Sequence, residues 1–190
     1  MTLIVVALTF VAALLRGGRL RDLERIQIRH VWIFPAAVVL MLLLNVAKFK
    51  GWLSEEQTLL AQPSIYVVII AGILLNRHIE GTMLLALGTF LNLLVIAANG
   101  GYMPVSMTAL KASGLTMEEL AEVMYLRHIP MDETTRLAFL GDVIPVPWPP
   151  FLRAVGSVGD IIGLAAMVII VWRLFFPSRR RCATAAEVSP

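Results

Sequence analysis

Five apolar runs divided by polar connections constrain this chain more than any other feature. Residues 3–15, 31–47, 64–76, 82–98 and 158–176 are apolar in blocks, without the regular spacing of a half-buried element. Runs that are apolar on every side belong in lipid or among other helices. Composition agrees: 58% of residues are hydrophobic and 15% charged, against about 45–50% and about 25% in soluble domains. The mean hydropathy is +0.81. The expected fold is all-α, a polytopic membrane helix bundle with about five transmembrane helices in one domain over 1–176. Runs 3–15 and 64–76 are short against the roughly 20 residues that cross a bilayer core. Pro63 suits the first turn of the third run, where a missing N–H costs little, and a tilted or re-entrant course for 64–76 stays open.

Orientation follows from the basic residues. Arg16, Arg19, Arg21, Arg25 and Arg29 share one connection, Arg77 lies in the turn after the third run, and Arg173, Arg179, Arg180 and Arg181 follow the fifth. Lys48, Lys50, Lys111, Arg127, Arg136 and Arg153 are spread over the two longer connections. Cytoplasmic loops are the basic ones, so the expected topology is N-out and C-in. The long connection 99–156 then forms an outer lid with short helices, and the basic tail 177–190 is expected to be disordered in the cytoplasm. No basic residue precedes the first run, so it is expected to be retained rather than cleaved as a signal peptide. Cys182 is the only cysteine, which excludes an internal disulfide and a thiolate metal cluster.

The fourth run ends at Asn99-Gly100-Gly101, a helix stop in which glycine enters the left-handed region without a Cβ clash. An anion-binding backbone nest is the sharper alternative, but no lysine or arginine lies close in sequence. Met103-Pro104 then keeps the chain extended, since a residue before proline avoids the helical region. Ser106 is placed to cap a short helix over 107–113, with Gly114 as its stop. Thr116 and Glu119 have capping-box spacing, and Met117, Leu120, Ala121 and Met124 follow on one apolar face. Gly141-Asp142 leads into Pro145, Pro147, Pro149 and Pro150, a run expected to be extended and polyproline-like.

Polar residues near the span ends are the candidate site. Asn92 lies mid-span, where an amide faces protein; an interhelical hydrogen bond is the plain expectation and a cavity-lining role the sharper one. Ser157 and Asp160 have capping spacing at the start of the fifth run, with the carboxylate at the positive helix end. Gly159 and Gly163 form a Gly-x-x-x-Gly face for close helix contact. Gly156-Ser157 does not match the nucleophile elbow, which needs Gly-x-Ser-x-Gly. Asp142 and Asp160 each follow a glycine and, if brought together, would split their pKa values for acid–base work. The commoner arrangement is a turn aspartate plus a capping aspartate. His30, His78 and His128 are too dispersed for one metal site, so no metal or cofactor is expected. Trp32, Trp52, Tyr102 and Trp148 sit near span ends as interfacial anchors do. The 16–29 loop is expected to set topology and touch anionic headgroups, not nucleic acid.

Asn92-Leu93, Asn99-Gly100-Gly101-Tyr102-Met103-Pro104-Val105, Leu140-Gly141-Asp142-Val143-Ile144-Pro145 with Pro147, and Ser157-Val158-Gly159-Asp160 together carry a resemblance. In these motifs the chain resembles a family of small bacterial integral-membrane proteins known only as a domain of unknown function. The resemblance implies a multi-pass protein of the bacterial cytoplasmic membrane and supplies no activity. The expected function is a non-enzymatic subunit or assembly partner of a membrane complex, in contact with the lipid bilayer and a protein partner or a second copy. A small transporter or lipid-handling protein is the alternative, and an outer-face hydrolase using Asp142 and Asp160 the third reading.

Overall fold

The computed structural model describes residues 2–25, 27–119 and 128–176. The tail and the expected apolar positions Leu120, Ala121 and Met124 lie outside them. The described chain is mostly helical. Five apolar helices, α1 (Thr2–Leu15), α2 (Ile33–Phe49), α3 (Glu55–Leu75), α4 (Thr82–Ala98) and α6 (Val158–Phe175), frame it. A short helix, α5 (Met107–Ser113), and strands β1 (Met103–Val105), β2 (His128–Pro130), β3 (Ile144–Val146) and β4 (Ala154–Gly156) fill the long connection. Two helices, over Glu56–Leu75 and Val158–Phe175, are long and apolar enough to cross a membrane. The other three are apolar but shorter.

Helix α3 begins nine residues before the expected Ser64, because a cap upstream starts it. The Ser54 hydroxyl accepts the Gln57 N–H at 3.1 Å, and the Gln57 side chain accepts the Ser54 N–H at 2.9 Å, satisfying two orphan donors of the first turn. Pro63 therefore lies inside the helix rather than in its first turn. A proline there cannot donate to the carbonyl four residues back. That carbonyl, of Leu59, is the group a Cβ on Gly101 would strike. The turn after α4 packs on the defect.

The helices follow chain order in their packing except for α1, which lies against the last helix. Each packs mainly on the next in the series α2, α3, α4, α6, α1. Helix α1 is held on α6 by Ala13, Val171 and Phe175, all buried, with the Phe10 and Phe175 rings edge-on at 5.1 Å. The closest approach is α4 on α6: a Cβ on Gly88 would lie 2.5 Å from the Gly159 carbonyl and 2.8 Å from the Gly163 nitrogen. Only glycine allows the backbones so near, the small-residue packing known from membrane helix pairs.

At one end of the helices, the turn end, residues 76–81 join α3 to α4. At the other, residues 99–119 and 128–157 form a cap. Ser106 caps α5, its hydroxyl accepting the Ala109 N–H at 3.3 Å, and Gly114 ends that helix in the left-handed region. Thr116 and Glu119 bond reciprocally, at 2.8 and 3.2 Å. Strand β1 is the centre of the cap. It pairs in parallel with β2, Met103 opposite His128 and Val105 opposite Pro130. On its other edge the Asp142 N–H donates to the Pro104 carbonyl, and the Asp142 carbonyl accepts from Ser106, both at 2.9 Å. Val105, Ala109, Leu110 and Val155 form the cap's core.

The proline run is not one extended polyproline segment. Ile144–Val146 pairs antiparallel with Ala154–Gly156, and Pro150–Leu152 is a 3-10 turn. Pairing with β4 fixes Pro145 in a strand, and Pro150 suits the first position of the turn, where no N–H is needed.

Candidate functional site

The polar residues singled out along the chain meet where the cap sits on α3, α4 and α6. Gly88 and Asn92 are one helical turn apart on the α4 face that meets α6. The Asn92 amide spans the seam: its nitrogen donates to Asp160 at 2.8 Å, and its oxygen accepts from the Ser157 hydroxyl at 2.8 Å. Ser157 and Asp160 close a capping box, with the Asp160 N–H donating to the Ser157 hydroxyl at 3.0 Å and the Ser157 N–H donating to the Asp160 carboxylate at 2.9 Å. A Cβ on Gly159 would overlap the Asn92 side chain, so the same glycine that admits α4 also admits its amide. Three polar side chains thus satisfy one another and two backbone N–H groups of the helix start.

The second cluster is buried. Asp142 is 3% exposed, and its carboxylate lies 3.3 Å from His128 Nε2. Burial pushes the Asp142 carboxyl up; the hydrogen bond and charge of His128 oppose that, and the nearby Asp160 charge adds to it. His128 Nδ1 is buried with no hydrogen-bond partner among the described residues. Val95, Ile96, Met103 and Leu140 form the apolar floor beneath, with Tyr66 and Val158 packed against it.

Asn99 does more than stop a helix. Gly100 and Gly101 take the left-handed conformations, at φ 65° and 92°, while Asn99 itself stays at φ −113°. Its side-chain oxygen accepts the Arg136 N–H at 3.0 Å, and its side-chain nitrogen donates to the Arg136 carbonyl at 2.9 Å. Pro104 sits in β1, and Gly141 lies against the Pro104 carbonyl and the Met131 side chain. Asn92, Ser157, Gly159 and Asp160 are therefore brought together. Asp142 is near enough to feel Asp160 but is bonded elsewhere, and Asn99, Gly100 and Gly101 fasten a separate edge of the cap.

This chemistry is not that of an activated nucleophile, which needs a base within reach. The Ser157 hydroxyl donates to an amide oxygen, and Ser157 is fully buried. No group of three or more His, Cys, Asp or Glu comes together to hold a metal ion among the described residues. Tyr66 is not singled out by the sequence, which marks His128 only as too distant for a shared metal site and Arg136 only as a loop charge. His128 reaches Asp142 only because β2 pairs with β1, a register no local spacing encodes, and Arg136 contributes only its backbone.

Residues 25–172 match the family described as "Family of unknown function (DUF5317)". The chain is also 29% identical over 145 residues to an uncharacterized protein of Thermotoga maritima, an alignment covering 76% of this chain and 75% of that one. No solved structure matches it. With α2, α3, α4, the cap and most of α6 inside the matched region, this chain belongs to that family of unknown function.

Proposed function

We propose that this is a multi-pass protein of the bacterial cytoplasmic membrane. Its five apolar helices span the bilayer N-out and C-in, and its cap faces outward as the docking surface for a protein partner in a membrane complex. The reading assigns it no catalysis. The observation that carries it is a contrast within the cap: Asp142 and Ser157 are buried and bonded inward, while two large aromatic side chains point out. Phe139 is 67% exposed and Trp148 77% exposed. Leu140, beside Phe139 in a 3-10 turn, is buried against Val95 and Ile96; successive residues of such a turn point about 120° apart. Exposed aromatic residues on a fixed surface are what partner interfaces use as anchors.

Exposed apolar side chains on every long helix support the membrane placement, among them Leu8, Val39, Val67, Phe90 and Ile161. Helix α1, at 14 residues, is about 21 Å long at 1.5 Å per residue. It fits a bilayer by local thinning and by arginines reaching to the headgroups; Arg16 and Arg19 follow it directly.

The test is purification of the tagged chain from its own host in mild detergent, beside a Phe139→Ser/Trp148→Ser variant. The expected result is a stoichiometric larger partner on the natural chain and a variant that migrates alone with an unchanged melting temperature. A natural chain that purifies alone, from membranes, contradicts the partner reading. An Asp142→Asn/Asp160→Asn variant that folds normally but abolishes a measured hydrolysis would instead favour the enzyme.

A further inference from the structure

At the turn end, α4 and α6 part on one side of their seam and leave a cleft of about 590 Å³. That volume is within the roughly 300–1,000 Å³ range of small-molecule sites. Its walls are Met83, Leu84, Val168 and Ile169, all apolar, and its mouth carries Glu80, Trp172 and Arg173. The Arg173 Nε meets Glu80 at 2.9 Å, which uses one of five guanidinium donors. The Arg16 guanidinium lies 5.7 Å from the centre of the Trp172 ring, a cation–π distance. The mouth carries the Arg173 guanidinium against the Glu80 carboxylate, and the Arg16 guanidinium beside Trp172 adds a second positive charge next to it, so the charge at that end of the apolar trough is net positive. Arg19, Arg21, Arg29 and Arg77 add to the same end of the molecule in the connections on either side.

We propose that this cleft binds one anionic phospholipid, with an acyl chain between Met83, Leu84, Val168 and Ile169 and the headgroup phosphate on Arg16 and Arg173. The assignment rests on the membrane placement argued above but not on the partner reading. An apolar trough in a membrane-facing seam takes a chain of any lipid; the charge at its mouth selects the headgroup. Trp172 belongs at that level, where an apolar ring with a polar N–H suits the membrane–water boundary. Glu80 works against the anion. It orients Arg173 while reducing the charge that a phosphate meets.

The experiment is native mass spectrometry of the full chain in detergent. It is stripped of lipid and titrated with phosphatidylglycerol or, separately, with phosphatidylcholine of the same acyl chains. The expected result is one phosphatidylglycerol per chain, bound in preference to phosphatidylcholine. Arg16→Gln, at an exposed position, should weaken phosphatidylglycerol about fivefold, the factor for about 1 kcal/mol per basic side chain at an anionic surface. Glu80→Gln should strengthen it. Opposite signs from two neighbouring substitutions are not what a damaged fold produces. Met83→Trp, which fills the mouth at another exposed position, should weaken both lipids. Equal affinity for the two lipids, or a preference that Arg16→Gln and Glu80→Gln leave unmoved, overturns the proposal while the membrane placement stands. A chain that stays in solution without detergent overturns the membrane placement and the proposal together.

Discussion

Two asparagines, at opposite ends of the helices, hold the chain in the same way. Asn76 ends α3 at the turn end, and Asn99 ends α4 under the cap. Each side-chain oxygen accepts the N–H of a distant arginine and each side-chain nitrogen donates to that arginine's carbonyl: Arg29 at 2.7 and 2.9 Å, Arg136 at 3.0 and 2.9 Å. The residue after the arginine has φ 52° in both, His30 in one and Leu137 in the other, and these are the non-glycine residues with positive φ among those described. A side-chain amide sets an N–H beside a carbonyl oxygen, so it can pair with a residue's backbone as a strand would, with its second N–H left for another acceptor. The left-handed residue then turns the pinned chain into the next element, α2 or the 3-10 turn at 138–140.

The difference lies in burial. Asn76 is 3% exposed and also bonds the Gly72 carbonyl at 2.8 Å, while Thr82 bonds the Asn76 carbonyl at 3.1 Å. Asn99 is half-buried, with its further bond to Val95. Water can replace a lost partner at Asn99 and has little access to Asn76. The same geometry should therefore be rigid at the turn end and openable at the cap.

The sharpest break is Asn76→Ala, which removes an amide 3% exposed together with its part-buried bonds to Arg29 and its buried bond to the Gly72 carbonyl. It should cost about 2–3 kcal/mol, the upper range for leaving buried groups unpaired, read as a fall in melting temperature in detergent. Asn99→Ala should cost about 1 kcal/mol, the ordinary value of a hydrogen bond whose partners can reach water. Equal losses would remove the distinction. Glycine at the left-handed positions sharpens it from the other side. Leu137→Gly should stabilise by about 0.5–1 kcal/mol, since left-handed strain of about 1–2 kcal/mol exceeds the glycine's extra unfolded entropy. His30→Gly should gain less, because histidine enters that region more readily than leucine.

The smallest effect is a pH slope confined to the cap. Burial holds the folded Asp142 carboxyl above its ordinary value. A carboxyl raised on folding favours the folded state at low pH and loses that contribution as pH rises through its folded pKa. Proteolytic protection of the cap should therefore rise as pH is lowered from neutral, and Asp142→Asn should flatten that slope. Asp132, held below the usual carboxylate range by hydrogen bonds from Thr134 and Thr135, acts with the opposite sign at more acid pH.

Much of this frame was legible in local residue order. The ends of α4, the Ser106 cap with its Gly114 stop, the Thr116–Glu119 box and the Ser157–Asp160 box are each written within a few residues, where spacing decides which donor meets which acceptor. The start of α3 was misplaced because Pro63 looked like a first-turn proline, although Ser54 and Gln57 carry the same capping pattern farther upstream. What could not be read is whatever depends on distant pairing. The amide of Asn76 looks like any turn asparagine until Arg29 is beside it, and nothing near His128 announces Asp142. Asn92 announced only that it needed a partner; Gly159 and Ser157 decide which.

Hydrogen–deuterium exchange on Asn99→Ala and Asn76→Ala, against the natural chain, tests most directly the claim that the polar residues under the cap are fasteners. The account predicts faster exchange over residues 103–106 and 138–146 in Asn99→Ala, with 27–33 unchanged, and the reverse in Asn76→Ala. A cap that exchanges in Asn99→Ala as it does in the natural chain would contradict it.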